Sequence, residues 1–196
     1  MEKQIIISIS REYGSGGHEI AKQIAKDLGI KLYDKNILHE IADEKNIHID
    51  YLKKHDEEPK RLLDSRRIGA YSNSIQDIVA EMQFEFIREK AESGESFLIV
   101  GRCAETVLKD YEDLISIFIL GDLPFRVERV KAYENLNDSE ALAKIKEVDK
   151  KRKQYHNRHS DGKWGDSRMY DVCIKSSSLG MEQTIRILED YITARM

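Results

Sequence analysis

The feature that most constrains the fold is a glycine-rich turn near the N-terminus, Gly14-Ser15-Gly16-Gly17. It follows a β-branched apolar run, Ile5 to Ile9, which predicts a buried strand. It precedes a segment, 18–28, whose apolar residues recur at helical spacing, and Gly29 then stands where a helix C-terminal cap belongs. This strand–turn–helix order is typical of an α/β domain.

Such a turn suits a phosphate group. Glycine allows positive φ and close backbone approach, and the amides of the turn and of the following helix N-terminus point at an anion. A tight structural turn is the alternative, and the position between strand and helix favours phosphate. We therefore predict nucleotide binding by Gly14, Ser15, Gly16, Gly17 and His18.

The turn departs from the common phosphate-loop motif, G-x-x-x-x-G-K-[ST]. Aligned on Gly16, the chain has Arg11 for the first glycine, Gly17 for the lysine and His18 for the serine or threonine. Arg11 and His18 are therefore candidates to replace the lysine, and Ser15 is the nearest hydroxyl for a metal. The dinucleotide fingerprint G-x-G-x-x-G also fails.

Downstream, short apolar strands alternate with helices, which predicts a parallel sheet covered on both faces within one domain, 1–196. The segment 58–74 is polar and aperiodic, and we interpret it as a mobile loop or hinge. The further predicted strands are 31–34, 97–100, 114–120 and 171–175, and the further predicted helices are 36–45, 50–57, 75–92, one from Pro124, 139–156 and 181–194.

Charge and composition limit the function classes. The net charge of −4 weighs against nucleic acid as a partner. A cationic strip at 144–158 is either a solvated helix face or a phosphate-binding surface. We expect no membrane span, because no apolar run approaches the ~20 residues required. The N-terminus lacks a signal-peptide pattern, so we expect a cytoplasmic protein. Cys103 and Cys173 lie in apolar contexts and are expected to be buried thiols.

The chain resembles a known family along nearly its whole length. The segment from Ser10 to Ala21 is similar to the opening of cytidylate kinase-like proteins, a branch of the P-loop nucleoside monophosphate kinases in which the motif lysine is characteristically replaced. The other similar segments are Tyr33-Asp34-Lys35, Val100-Gly101-Arg102, Phe118 to Leu120 with Arg126 and Arg129, Lys151 to Arg158, and Tyr170 to Glu182.

The resemblance implies a three-layer α/β/α P-loop NTPase fold with a five-stranded parallel sheet in the order 2-3-1-4-5. It implies a helical insert at about 36–92 that binds the nucleoside monophosphate, and a lid at about 144–168. The implied reaction transfers the γ-phosphoryl group of ATP, with Mg²⁺, to a pyrimidine nucleoside monophosphate such as CMP. A nucleoside triphosphate and a monophosphate are thus the expected partners.

Arginines are the candidate catalytic residues, because a guanidinium is always charged and binds phosphate in a fork. Arg102 follows a predicted strand, where ligands bind beyond the carboxyl ends of parallel strands, and is our candidate for the acceptor phosphate. By the resemblance, Arg129 contacts the nucleotide, and Arg152 and Arg158 are lid residues that close over the γ-phosphate. A solvated helix face is the alternative for these three.

Asp34, at the end of the second strand, either binds the acceptor nucleoside, positions magnesium through water, or caps the helix that follows. Tyr155 and Trp164 either pack or stack on a base. The leading hypothesis is a nucleotide kinase. The alternative is a nucleotide-binding module without kinase activity, which Gly17 and His18 favour and the retained arginines oppose.

Overall fold

A computed structural model describes residues 3–34, 36–45, 67–68, 71–72 and 75–196. The strands are β1 (Ile6–Arg11), β2 (Lys31–Tyr33), β3 (Arg67–Ile68), β4 (Tyr71–Ser72), β5 (Phe97–Val100), β6 (Leu114–Leu120) and β7 (Val172–Lys175). The helices are α1 (Gly17–Asp27), α2 (Ile37–Lys45), α3 (Ile75–Glu92), α4 (Ala104–Val107), α5 (Leu123–Glu134), α6 (Asp138–His159), α7 (Ser176–Leu179) and α8 (Met181–Arg195), with a 3₁₀ turn at Ser167–Met169.

Five strands form one parallel sheet in the order β2-β5-β1-β6-β7. Numbered among the sheet strands alone this is 2-3-1-4-5, so the predicted order is confirmed. Central β1 alternates its side chains between two apolar layers, because successive residues of a strand point to opposite faces. Ile6 packs with residues of α2 and α3, whereas Ile7 and Ile9 pack with residues of α1 and α8.

The carboxyl ends of three neighbouring strands meet at one edge of the sheet. Ile9 of β1 is level with Val100 of β5, and Tyr33 of β2 is level with Ile99. The chain segments that follow these strands therefore share this edge. They carry the glycine-rich turn, Asp34 and Arg102, so the topology gathers the predicted site.

The structure contains short elements that the sequence did not predict. Arg67–Ile68 and Tyr71–Ser72 pair as antiparallel strands inside the segment predicted to be a loop. The remainder of 58–74 and the helix predicted at 50–57 lie outside the described residues. The short helix α4 was not predicted, since four residues are too few for helical periodicity to register.

The expectation that Cys173 is buried was wrong. Its strand, β7, is at the edge of the sheet, and its side chains alternate between half-buried and exposed. Only one face of β7 is therefore partly buried, and Cys173 lies on the other, exposed face. Cys103, by contrast, is buried as expected. None of the helices in the described residues is long and apolar enough to cross a bilayer.

Helix α6 is tied to the sheet by a buried polar link. His156 Nε2 lies 2.8 Å from Glu105 Oε1, and both side chains are almost fully buried. The other carboxyl oxygen of Glu105 accepts from the hydroxyls of Ser8 and Ser10 on β1, at 3.5 and 3.4 Å. The link fixes the C-terminal half of α6, which carries Arg152 one helical turn before His156.

We expect His156→Ala to lower the free energy of unfolding by about 3–5 kcal/mol, because it leaves a buried carboxyl group without its partner. Urea denaturation of the two proteins measures the difference. Lys153→Ala on the exposed side of the same helix is the control and should change stability by less than about 0.5 kcal/mol. Equal effects of the two substitutions would contradict the proposed link.

Candidate functional site

A cavity of about 590 Å³ opens at the carboxyl edge of the sheet. Its size suits a small-molecule ligand. It lies where parallel α/β sheets place ligands, outside the carboxyl ends of the strands. The lining residues are Arg11, Glu12, Tyr13, Gly14, Gly16, Gly17, His18, Glu19, Asp34, Val100, Arg102, Arg129, Tyr133 and Arg152.

The turn that forms the floor of the cavity requires glycine at two positions. Gly14 and Gly16 have φ of 82° and 84°, in the left-handed region that other residues rarely adopt. A Cβ atom at Gly14 would lie 2.9 Å from the carbonyl oxygen of Arg126, and one at Gly16 would lie 2.4 Å from Sδ of Met181. Close packing and backbone conformation thus act together to keep both positions small.

Ser15 is turned away from the cavity. Its side chain is buried, and its hydroxyl donates to the carbonyl oxygen of Glu12 at 2.8 Å. Its own carbonyl oxygen accepts from the Ser176 hydroxyl at 2.6 Å. The hydroxyl that the sequence offered as a metal ligand therefore shapes the turn, and α7 supports the turn from behind.

Arg126 of α5 holds the start of the turn in place. Its Nε donates to the carbonyl oxygen of Tyr13 at 2.7 Å, and its Nη1 lies 3.3 Å from Oε1 of Glu12. Its Nη2 pairs with Asp149 of α6, and Asp149 also accepts from the Tyr13 amide at 2.8 Å. The other oxygen of Glu12 accepts from the Gly121 amide at 3.0 Å. One buried guanidinium thus joins the turn to two helices.

We expect Arg126→Met to lower the free energy of unfolding by about 2–4 kcal/mol, because two largely buried carboxylates lose their cation. The same change should weaken ATP binding, since the turn loses its support. Chemical denaturation and calorimetry measure the two effects. Arg168→Met is the control: that side chain is 86% exposed and pairs with Asp166, so the effect should be near zero. Unchanged stability of Arg126→Met would contradict the assignment.

Four of the predicted arginines line the cavity: Arg11, Arg102, Arg129 and Arg152. Arg152 of α6 donates from Nη1 to the carbonyl oxygen of Arg11 at 3.2 Å, and its Cζ lies 5.4 Å from the ring centre of Tyr13. Arg102 is buried, and its Nη1 donates to Oε1 of Gln83 on α3 at 3.5 Å. The cations are thus held in place by protein groups before any ligand arrives, which limits their reorganisation on binding.

The backbone around Arg102 is strained. Three consecutive residues have positive φ: Gly101 at 80°, Arg102 at 62° and Cys103 at 52°. The left-handed conformation costs a residue other than glycine roughly 1–3 kcal/mol. Such strain persists where the surroundings enforce it, and here it directs the side chain of Arg102 to the cavity at the end of β5.

Arg129 contacts two side chains at the rim. Its Nη2 lies 2.5 Å from Oε2 of Glu19, in the first turn of α1, and its Cζ lies 5.6 Å from the ring centre of Phe125. Four arginines therefore line the cavity, together with three carboxylates, Glu12, Glu19 and Asp34.

Two tyrosines, Tyr13 and Tyr133, form an aromatic wall that the sequence analysis missed. Their rings meet edge to face at 6.1 Å. Burial, followed by its hydrogen bond to Glu134, raises the pKa of Tyr13 far above its usual value, and burial raises the pKa of Tyr133. Both rings stay uncharged near neutral pH. Tyr133 follows Arg129 by four residues on α5, a spacing that places both on one helix face.

Asp34 and His18 are neighbours in the lining of the cavity. Oδ2 of Asp34 lies 3.6 Å from Nε2 of His18, and Oδ1 accepts from the Asn36 amide at 2.9 Å. Oδ1 of Asp34 thus binds the backbone just before α2, and Oδ2 is left on the side of His18.

The remaining sequence candidates lie elsewhere. Arg158 lies outside the cavity lining and pairs with Asp77 of α3. Trp164 packs edge to face on Phe118 at 5.4 Å, and the Tyr155 hydroxyl donates to Gln83 at 3.2 Å. The packing alternative is therefore what the structure has for both aromatic side chains.

Comparison with known proteins decides the family. The model of the cytidylate kinase-like family matches residues 6–178. The chain belongs to this family. It is 27% identical to a cytidylate kinase of Pyrococcus horikoshii over 194 residues, which covers 96% of this chain and 88% of that protein. It is 23% identical to a cytidylate kinase of Pyrobaculum islandicum over 189 residues, with 96% and 92% covered.

Solved structures share the fold of this chain. An uncharacterized protein from Eubacterium ventriosum superposes with a TM-score of 0.78 at 40% identity, over 97% of this chain and 99% of that one. A shikimate kinase from Bacteroides thetaiotaomicron gives a TM-score of 0.57 at 12% identity, over 96% and 98%. At that identity the likeness shows the fold alone. The family and the P-loop kinase fold support a nucleotide kinase.

Proposed function

We propose that the protein transfers the γ-phosphoryl group of ATP to a pyrimidine nucleoside monophosphate, with CMP the leading acceptor. One observation carries the proposal. A glycine turn of phosphate-binding form and four arginines line one cavity in a member of the cytidylate kinase-like family. The named relatives are cytidylate kinases, which supports CMP over other acceptors.

The reaction itself sets what the residues must do. An oxygen of the acceptor phosphate forms a bond to the γ-phosphorus as the bond to the β-phosphate oxygen breaks, and ADP leaves. Little covalent help is needed, so catalysis rests on alignment and on neutralising charge. We assign the donor phosphates to the amides of the turn and the acceptor phosphate to Arg102. Arg152, which lines the cavity and donates to the carbonyl oxygen of Arg11, is assigned to neutralise the transferred group.

The base and lid assignments follow from the same arrangement. The rings of Tyr13 and Tyr133 are flat and uncharged, and Arg129 beside them is a cation. Both kinds of surface can stack on a nucleoside base.

Arg158 is proposed as a lid residue that acts through its pair with Asp77, because this pair joins α6 to α3 of the insert.

The carboxylates that line the cavity fit a hydrated Mg²⁺ rather than a protein cage. Glu12 pairs with Arg126 and Glu19 pairs with Arg129. Asp34, by contrast, lies beside the half-exposed His18. Mg²⁺ keeps several waters and takes one or two carboxylates together with substrate phosphates. Asp34 would hold the ion through water, and the ion would offset phosphate charge.

A coupled kinase assay with ATP, Mg²⁺ and CMP, dCMP, UMP, AMP or GMP tests the proposal. We expect turnover with CMP or dCMP, and we expect Arg102→Ala to lower kcat by about 10²–10³, because an aligned charged donor is lost. The substitution adds no backbone strain, since Arg and Ala are equally disfavoured at positive φ. Arg186→Ala, on the exposed face of α8, is the matched control and should retain full activity.

Two results would contradict the proposal, one for the kinase activity and one for the role of Arg102. Absence of turnover with every acceptor, in protein that binds ATP by calorimetry, would instead favour a nucleotide-binding module. Turnover that survives Arg102→Ala unchanged would remove Arg102 from the acceptor site.

A further inference from the structure

Gly17 differs from the other glycines of the turn. Gly14 and Gly16 have positive φ, whereas Gly17, the first residue of α1, does not. Its backbone therefore lies outside the left-handed region that favours glycine. The conformation of the chain therefore gives no reason for glycine at the position where the common motif has lysine.

Space gives the reason. A Cβ atom at Gly17 would lie 2.6 Å from Cβ and 2.9 Å from Cγ of Arg11, and 3.4 Å from Cβ of Ile119. Atoms so near the backbone cannot swing aside, because Arg11 ends β1 and is paired in register with Ile119 of the neighbouring strand β6. While Arg11 is present, no side chain fits at position 17 without moving the sheet or the turn.

The Arg11 side chain continues from Gly17 along the cavity. A Cβ atom at Gly101 would lie 2.5 Å from Nη1 of Arg11, so the guanidinium rests against the backbone at the end of β5. Gly17 thus leaves room for the first carbons of the Arg11 side chain, and Gly101 leaves room for its guanidinium. Arg11, Gly17 and Arg102 line the same cavity. The guanidinium lies between the turn and the residue that follows Gly101.

We propose that Arg11 and Gly17 are a reciprocal exchange of two positions in the phosphate-binding motif. The common motif has glycine after the strand and the cation at the start of the helix. This chain has the cation, Arg11, at the end of the strand and glycine, Gly17, at the start of the helix. Arg11 is then the catalytic residue that contacts the donor phosphates where the common motif uses lysine. The catalytic part rests on the proposed function, whereas the exchange itself rests on the contacts of Gly17 and Gly101.

The exchange has a chemical consequence. A lysine presents one compact charge, whereas a guanidinium presents a planar fork that contacts two phosphate oxygens at once. Because the head of Arg11 lies against Gly101, it is placed to contact donor and acceptor phosphates together. Arginine at this position therefore serves alignment as well as charge.

A double-substitution cycle tests the exchange. The variants are Arg11→Gly, Gly17→Lys and both together. The double variant restores the first glycine and the lysine of the common motif and keeps His18 at the serine or threonine position. Calorimetry gives the Kd for ATP with Mg²⁺, and the coupled assay gives kcat. We expect each single variant to raise the Kd about ten- to hundredfold, Arg11→Gly through lost charge and Gly17→Lys through the clash. The double variant should bind ATP at least about tenfold better than Gly17→Lys alone.

Three further variants separate charge from space. Arg11→Met keeps the length of the side chain and removes its charge, and should raise the Kd about as much as Arg11→Gly. Gly17→Ala adds only the clashing Cβ, and should weaken binding in the presence of Arg11 but not in Arg11→Gly. Arg186→Met, a charge removed from the exposed face of α8, should bind ATP as the parent does. Thermal denaturation confirms that each variant is folded.

Additive effects in the cycle, or an Arg11→Met variant that binds ATP like the parent protein, would overturn the proposal. The cycle on Kd does not depend on which acceptor is used. A parent protein that binds ATP without phosphorylating any nucleoside monophosphate would therefore reject the kinase function and leave the exchange tested on binding alone.

Discussion

The arrangement depends on the pairing of β1 between two parallel neighbours, β5 and β6. Because β1 is hydrogen-bonded on both sides and its isoleucines are fully buried, its carboxyl end is a fixed point. The glycine turn, Arg11 and Glu12 all extend from that point. The hydroxyls of Ser8 and Ser10 on the same strand donate to Glu105, whose other carboxyl oxygen contacts His156 of α6. The strand therefore also orients the helix that carries Arg152.

Most of the charged groups around the cavity are held by other protein groups. Arg126 pairs with Glu12 and Asp149, and Arg129 pairs with Glu19. Charges that are positioned before the ligand binds need little reorganisation, and this is the main way in which proteins stabilise developing charge on a transferred phosphoryl group. Helix α5 both supports the glycine turn, through Arg126, and supplies a cation to the rim of the cavity, through Arg129 one helical turn later.

The sequence predicted most of the strands and helices, because short apolar strands and amphipathic helices follow from periodicity. The order of the sheet was predicted from the resemblance to the family. It also indicated where Arg102 and Asp34 lie, since both follow parallel strands. It did not indicate the burial of Arg126 or the link of His156 to Glu105, because these depend on partners far away in the chain. Cys173 was misjudged because an apolar pattern does not tell an edge strand from a central one.

A crystal structure of the protein with Mg²⁺, a nonhydrolysable ATP analogue and CMP would test most directly whether one cavity aligns two nucleotides. We predict triphosphate oxygens on the amides of 14–17, the guanidinium of Arg11 in contact with the β- or γ-phosphate, and the CMP phosphate on Arg102. Triphosphate bound away from the turn, or CMP bound without contact to Arg102, would contradict this arrangement.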